Sequence, residues 1–168
     1  MIQQNKTTIV KPSYEILRKA FRFYVDRNRY AYFYGAKGER LTVATMDALI
    51  KAYPSYYGRF SPQALEEIKR YSQNKIGYDC SGFLTAITGI TGNSAMLYEK
   101  TVDKTTVEQG KAGYMLYKKG HCGLDIGYGY CMHIGTSGST FEIAKIQTIG
   151  FDRSGAFPNY DYSEANNH

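Results

Sequence analysis

The stretch Gly77-Tyr78-Asp79-Cys80-Ser81-Gly82-Phe83 decides how the rest of this chain is read. It reads as a loop that turns sharply into a helix, with Cys80 where the helix begins. The run Phe83-Leu84-Thr85-Ala86-Ile87-Thr88 continues as a buried-type helix, and Gly89 offers a natural stop. A thiol at a helix N-terminus sits beside unpaired backbone N–H groups and the positive end of the macrodipole. Both favour the thiolate, which is the nucleophilic form. Taken alone, the plainer reading is a small buried Cys in an apolar helix. The choice rests on what lies downstream.

After this helix, residues 91–113 are polar and Gly-rich with no clear periodicity. From Tyr114 the pattern turns to β, over 114–117, 121–126, 130–134 and 140–146, with Gly127-Tyr128-Gly129 as a hairpin turn signal. The chain has three histidines, and His168 is terminal. The other two, His121 and His133, flank that hairpin. They share a face only if residues of equal parity pair across it, which needs an odd loop. A three-residue loop at 127–129 pairs Ile126 with Tyr130 and Gly123 with His133. His121 then lies diagonally beside His133, about 7–8 Å away at the backbone, and Gly123 leaves room for both rings. Asp125 falls on the same face, either orienting an imidazole or facing solvent. Cys122 and Cys131 fall on opposite faces, do not bond to each other, and read as packing residues. A Cys at a helix start with two same-face histidines is the set that acyl transfer needs: thiolate, proton carrier and orienting group.

Upstream, residues 1–11 read as a loose arm. Pro12-Ser13 opens a helix to about Arg29, with Ile16, Leu17, Ala20, Phe21, Tyr24 and Val25 on one face and Arg18, Lys19, Arg22 and Arg29 mostly opposite. The stretch Arg29-Tyr30-Ala31-Tyr32-Phe33-Tyr34-Gly35-Ala36-Lys37-Gly38-Glu39 reads as an extended aromatic strip closed by two glycines and ending in a turn. Residues 42–75 read as two helical pieces. Thr42 or Thr45 caps the first, and Ser61-Pro62 opens the second. Between them, Tyr53-Pro54-Ser55-Tyr56-Tyr57-Gly58-Arg59 is a loop whose aromatic and basic groups suit a glycan or an anionic peptide. Helices followed by an antiparallel meander make an α+β arrangement.

Composition narrows the class. With 168 residues, 43% of them hydrophobic, the chain reads as one domain with a real core. No apolar run is long enough to span a bilayer, and the first residues lack the apolar segment of a secretory signal. Three cysteines form an odd set without paired CxxC spacing, which argues against a disulfide framework and a structural zinc site. The net charge is +6, and residues 1–40 hold nine Lys or Arg against three acids. That excess suits an anionic partner, either nucleic acid or an acidic cell-wall polymer. No arginine-rich tract, zinc finger or RNP-like motif is present, which disfavours nucleic acid.

Asp79-Cys80-Ser81-Gly82-Phe83 resembles the nucleophile motif of the NlpC/P60 family of cysteine peptidases. The segment from Gly120-His121 to Gly129, followed by Met132-His133, resembles that family's His motif and third catalytic position. Tyr32-Phe33-Tyr34-Gly35 is similar to the aromatic strip upstream of its cysteine. The resemblance implies a papain-like NlpC/P60 fold, with N-terminal helices packed on an antiparallel β-meander, in one catalytic domain over 1–168. It makes the segment at about 41–76 a helical insertion. It implies Cys80 as nucleophile, His121 as base and His133 as orienting group, with Tyr32, Asp79 and Ser81 at the substrate. It implies no cofactor and no metal, a peptidoglycan peptide as partner, no nucleic acid, no membrane span and a monomer. The implied reaction is hydrolysis of cell-wall stem peptides at the D-γ-glutamyl–diamino acid bond. Action on the wall without a visible signal implies phage-type release or delivery by a partner. Two other functions use the same residues: a non-catalytic wall- or peptide-binding module, and an amidase or acyltransferase with the same Cys–His pair. The first predicts a lost nucleophile or base, and both are present.

Overall fold

The computed structural model describes residues 9–165. Strand β1 (Lys11–Pro12) leads into helix α1 (Tyr14–Val25), followed by strands β2 (Tyr30–Tyr32) and β3 (Lys37–Arg40). Helices α2 (Val43–Ala52), α3 (Pro54–Tyr57) and α4 (Pro62–Ser72) come next. Strand β4 (Ile76–Tyr78) runs into helix α5 (Cys80–Thr88), and helix α6 (Ser94–Lys100) into β5 (Val102–Thr105). The second half holds β6 (Met115–Lys118), β7 (His121–Gly127), β8 (Tyr130–His133) and β9 (Glu142–Lys145). Helix α7 (Ile146–Ile149), β10 (Arg153–Ala156) and β11 (Tyr160–Asp161) close the chain. The architecture is α+β, as expected.

The main sheet has six strands in the order β5-β10-β6-β7-β8-β9, and every pair in it is antiparallel. Strands β6 to β9 form the expected meander. Strand β10, which has no signal of its own in the sequence, slots between β5 and β6. A second sheet, β2-β4-β3, was also unforeseen, because both Lys37-Gly38-Glu39 and Gly77-Tyr78 read as turns. Its strand β4 pairs parallel with β2, setting Tyr32 level with Tyr78. Gly77 permits this, since a Cβ there would meet Leu41 at 2.8 Å and Ala36 at 2.9 Å.

Helix α1 buries Ile16 and Ala20, while Phe21 and Val25 lie exposed. At about 100° per residue, Phe21 and Val25 fall roughly 140° and 180° from Ile16, off the buried stripe. Phe23 packs in their place, against Phe83 and Phe141. The loop expected at 53–58 contains the short helix α3, and the unpatterned 91–113 segment holds α6 and β5. Helix α6 starts where Asn93 accepts the Met96 N–H. Of the arm expected at 1–11, residues 1–8 lie outside the described residues, as does His168. Residues Lys11 and Pro12 belong to a strand that pairs with β11. Among the described residues no helix is long and apolar enough to cross a membrane.

The main core forms where α5 lies on one face of the sheet. Phe83, Leu84 and Ile87 meet Leu124, Met132, Ile134 and Phe141 there, with Ile16 and Ala20 behind. A second cluster joins Ala31, Phe33, Ala36 and Leu41 to Met46, Tyr57 and Ile68. Segment 41–76 thus buries its apolar faces against the aromatic strip, since short one-sided helices cannot make a core alone. Phe83 is fully buried and lies 4.8 Å from Phe141, ring to ring. Phe83→Ala is expected to cost about 3–5 kcal/mol in urea unfolding. Val25→Ala, on a side chain 76% exposed, is expected to stay within about 0.5 kcal/mol. Similar losses in the two variants would contradict this placement of the core.

Candidate active site

Helix α5 begins at Cys80 because Asp79 caps it: the Asp79 carboxylate accepts the Gly82 N–H at 2.7 Å. Gly89, in the left-handed conformation, ends the helix. The capping carboxylate is held from behind. Lys37 Nζ lies 2.7 and 3.0 Å from its two oxygens and donates to Ser81 Oγ at 2.7 Å. Cys80 is 9% exposed at the first helical position, among backbone N–H groups that have no partner within the helix.

The histidines come from the β7–β8 hairpin. Leu124 pairs with Met132 and Asp125 with Cys131, a register that sets Gly123 opposite His133 as expected. The turn differs from the expectation. Gly127 pairs with Tyr130 across a two-residue turn, Tyr128-Gly129, both with positive φ. Ile126 is the extra residue of a bulge, so the parity is preserved. Asp125 serves that bulge: it is fully buried and its Oδ1 accepts the Gly127 N–H at 2.8 Å. It is therefore not a solvent-facing strand residue.

Glycines make room for both rings. A Cβ on Gly123 would meet Phe151 at 2.9 Å and His133 at 3.2 Å, and one on Gly135 would meet the His121 ring at 2.6 Å. His121 stacks on Phe151, and its Nε2 lies 2.9 Å from His133 Nδ1. On the far side of His133, Nε2 is buried without a close hydrogen-bond partner. The Glu142 carboxylate stands 3.5 Å from it, directly across the strand pair. A carboxylate there favours Nε2–H on His133. Its Nδ1 then accepts from His121 Nε2–H, which leaves His121 Nδ1 for the thiol. Glu142 escaped the sequence reading because the β8–β9 register depends on the irregular stretch between the two strands.

The Cys80 thiol meets two side chains at the start of β7. A hydrogen bond from Cys122 is the larger influence holding it well below the ordinary thiol range. His121 acts in the same direction, while burial and the Asp79 charge oppose them. Burial pushes Cys122 well up, so it keeps its proton as donor. Cys122 is therefore more than the packing residue expected. Cys131 lies apart, in a cluster with Leu116, Ile146 and Phe151, and burial pushes it up to about 12. Burial and the neighbouring His121 lower His133, although Glu142 pulls it back up.

Tyr32, His121 and His133 line a cleft of about 850 Å³. Tyr34, Tyr53, Tyr56 and Arg59 line it from the helical side, and Lys118, Lys119 and Ile149 from the sheet side. Burial foremost, then Tyr56 and Cys80, push the Tyr32 phenol far up, and it hydrogen-bonds to Tyr56. Tyr56 in turn shares a 2.6 Å hydrogen bond with Ser137. Asp79 and Ser81, expected at the substrate, are buried and engaged with Lys37 and the cap, and neither lines the cleft. Among the described residues no group of three or more His, Cys, Asp or Glu is placed to hold a metal ion. The arrangement can present a thiolate beside an imidazole of fixed tautomer, which is the requirement for covalent acyl chemistry.

No family model matches the chain, and no curated protein matches it. Among solved structures it is similar to the NlpC/p60 domain of peptidoglycan hydrolase SagA. That match has 19% identity and a TM-score of 0.52, and covers 86% of this chain and 98% of that one. The fold is thus NlpC/P60-like.

The electrostatics single out one thiol of three. Iodoacetamide at neutral pH is expected to label Cys80 in the folded protein, with Cys122 and Cys131 labelled only after unfolding. The midpoint of the labelling rate against pH should fall below the ordinary value of about 8.5. It should move up in His121→Ala, and in Gly135→Ala, which displaces the ring. Equal labelling of Cys80 and Cys131 would count against this account.

Proposed function

We propose that the protein is a cysteine peptidase that hydrolyses peptidoglycan stem peptides, cutting the D-γ-glutamyl–diamino acid bond. It acts as a single catalytic domain and monomer, without metal or cofactor, with the 41–76 insertion forming one side of its cleft. The observation that carries this reading is a thiol held toward its thiolate at a helix start, against His121. That imidazole is itself bonded to His133 beside a large cleft, in an NlpC/P60-like fold. The peptidoglycan hydrolase activity of the similar structure supplies the substrate class.

The chemistry follows from the contacts. Cys80 Sγ, as thiolate, attacks the γ-carbonyl carbon of the glutamyl residue, and the carbonyl π pair moves onto oxygen. Backbone N–H groups at the start of α5 and the protonated Tyr32 phenol are the nearby donors for that oxyanion. His121 gives its proton to the diamino-acid nitrogen as the C–N bond breaks, leaving a thioester on Cys80. Water then attacks the thioester carbonyl while His121 takes its proton, and the Cys80 thiolate leaves. His133 and Glu142 touch no reacting atom. They hold the tautomer and angle of His121.

Purified protein should release new amine ends from peptidoglycan, and Cys80→Ala should release none while keeping its fold. His121→Ala is expected to cost about 10²–10⁴-fold in rate, and His133→Ala less. Glu142→Gln keeps an oxygen acceptor for His133 and should retain more activity than Glu142→Leu. Full activity in Cys80→Ala would end the peptidase reading. A greater loss in His133→Ala than in His121→Ala would exchange their roles.

A further inference from the structure

Tyr32, His121 and His133 account for only part of the cleft, and the charge of the remainder is one-sided. Arg59, Lys118 and Lys119 line it, and no Asp or Glu does among the described residues. Elsewhere the chain pairs lysines with acids across long stretches of sequence: Lys37 sits on Asp79 and Lys69 on Asp47. The cleft cations have no such partner. Lys118 Nζ donates to the Ile149 carbonyl, which fixes its position and leaves its charge uncompensated. Among the described residues the ion pairs within 4 Å include neither Lys119 nor Arg59.

Arg59 is nonetheless held in place. Its guanidinium lies 4.4 Å above the Tyr56 ring. Tyr34 stacks on that ring at 4.2 Å, and Ser137 fixes its hydroxyl. A guanidinium resting on an aromatic face keeps its N–H edge free to bind a planar anion in bidentate fashion. Cations of one sign around a concave site also concentrate anions there. A γ-linked glutamyl residue carries its α-carboxylate only a few bonds from the scissile amide, so a peptide placed for cleavage beside His121 brings that charge into the cleft that His121 and the three cations line together.

We propose that Arg59, with Lys118 and Lys119, makes the cleft a carboxylate reader. It selects stem peptides whose glutamyl α-carboxylate is free over those in which it is a carboxamide. This deepens the peptidase reading and rests on it for the position of the scissile bond. The recognition itself is electrostatic: amidation removes the charge while barely altering size, so a purely steric site would not distinguish the two forms.

The test uses full-length Cys80→Ala protein and two synthetic stem peptides that differ only in that one group, compared by calorimetry. A charge-assisted hydrogen bond exceeds a neutral one by enough to give about tenfold tighter binding of the carboxylate form. The preference should shrink as salt is raised. It should fall to within about twofold when Arg59→Gln and Lys119→Gln are added, with melting temperature as the folding control. Equal affinity for the two peptides, tighter binding of the carboxamide, or no binding of either would overturn the proposal. Digestion of peptidoglycan by the native protein is scored separately. Digestion without discrimination removes the carboxylate reader and leaves the peptidase, whereas discrimination without digestion does the reverse.

Discussion

The carboxylate of Asp79 is the constraint on which the site depends. One oxygen takes the Gly82 N–H and the Ser81 hydroxyl, while Lys37 spans both oxygens from strand β3. A cap of this kind is worth about 0.5–2 kcal/mol, small beside the burial of Phe83 and its neighbours. Its importance is positional. It fixes which residue is first in α5, and so puts the sulfur of Cys80 among the free N–H groups instead of one turn further in. Gly82 makes the close approach possible, since a Cβ there would meet the Ala36 carbonyl at 2.9 Å. The same corner carries β4, whose parallel pairing with β2 brings Tyr32 level with Tyr78, two residues before Cys80. Strands β2 and β3, about forty residues upstream, are thereby tied to one helix start.

The second half of the site rests on parity. Strand residues alternate faces, so His121 and His133 share a side only if the hairpin between them contains an odd count. The chain meets this with a tight turn and one bulged residue in place of a wider loop. The histidine placement was legible from sequence because it depends on that count and not on how the turn achieves it. The turn itself was misread because a bulge is invisible without its hydrogen-bond partner, here Asp125 accepting from Gly127.

Other misreadings share a cause. Strands β3, β4, β5 and β10 are three or four residues long, too short for periodicity, and they exist because a neighbouring edge pairs with them. Helices with one apolar face, such as α1 and α4, and the β6–β9 meander, whose short strands follow one another around the Gly127-Tyr128-Gly129 turn signal, were visible from residue order alone. The same division runs through the site. Cys80, His121, His133 and Tyr32 stand in local patterns. Lys37 reaches Asp79 across 42 residues, Cys122 meets Cys80 only because α5 packs on β7, and Glu142 meets His133 through a register that no motif announces.

Those long-range contacts also resolve a conflict that the local motif creates. Aspartate is among the best helix caps, but its charge beside Cys80 opposes formation of the thiolate. Placing Lys37 on Asp79 at 2.7 Å keeps the cap and sets a positive charge against the carboxylate. Cys122 then supplies a donor to the thiolate without adding charge, because its own burial keeps it protonated. Burial likewise disfavours charge on His133. Local charges are thus paired or suppressed around the nucleophile, while the cations of the cleft are left open. The two sets of charges fall to different residues: Lys37 sits on Asp79, while Arg59, Lys118 and Lys119 line the cleft.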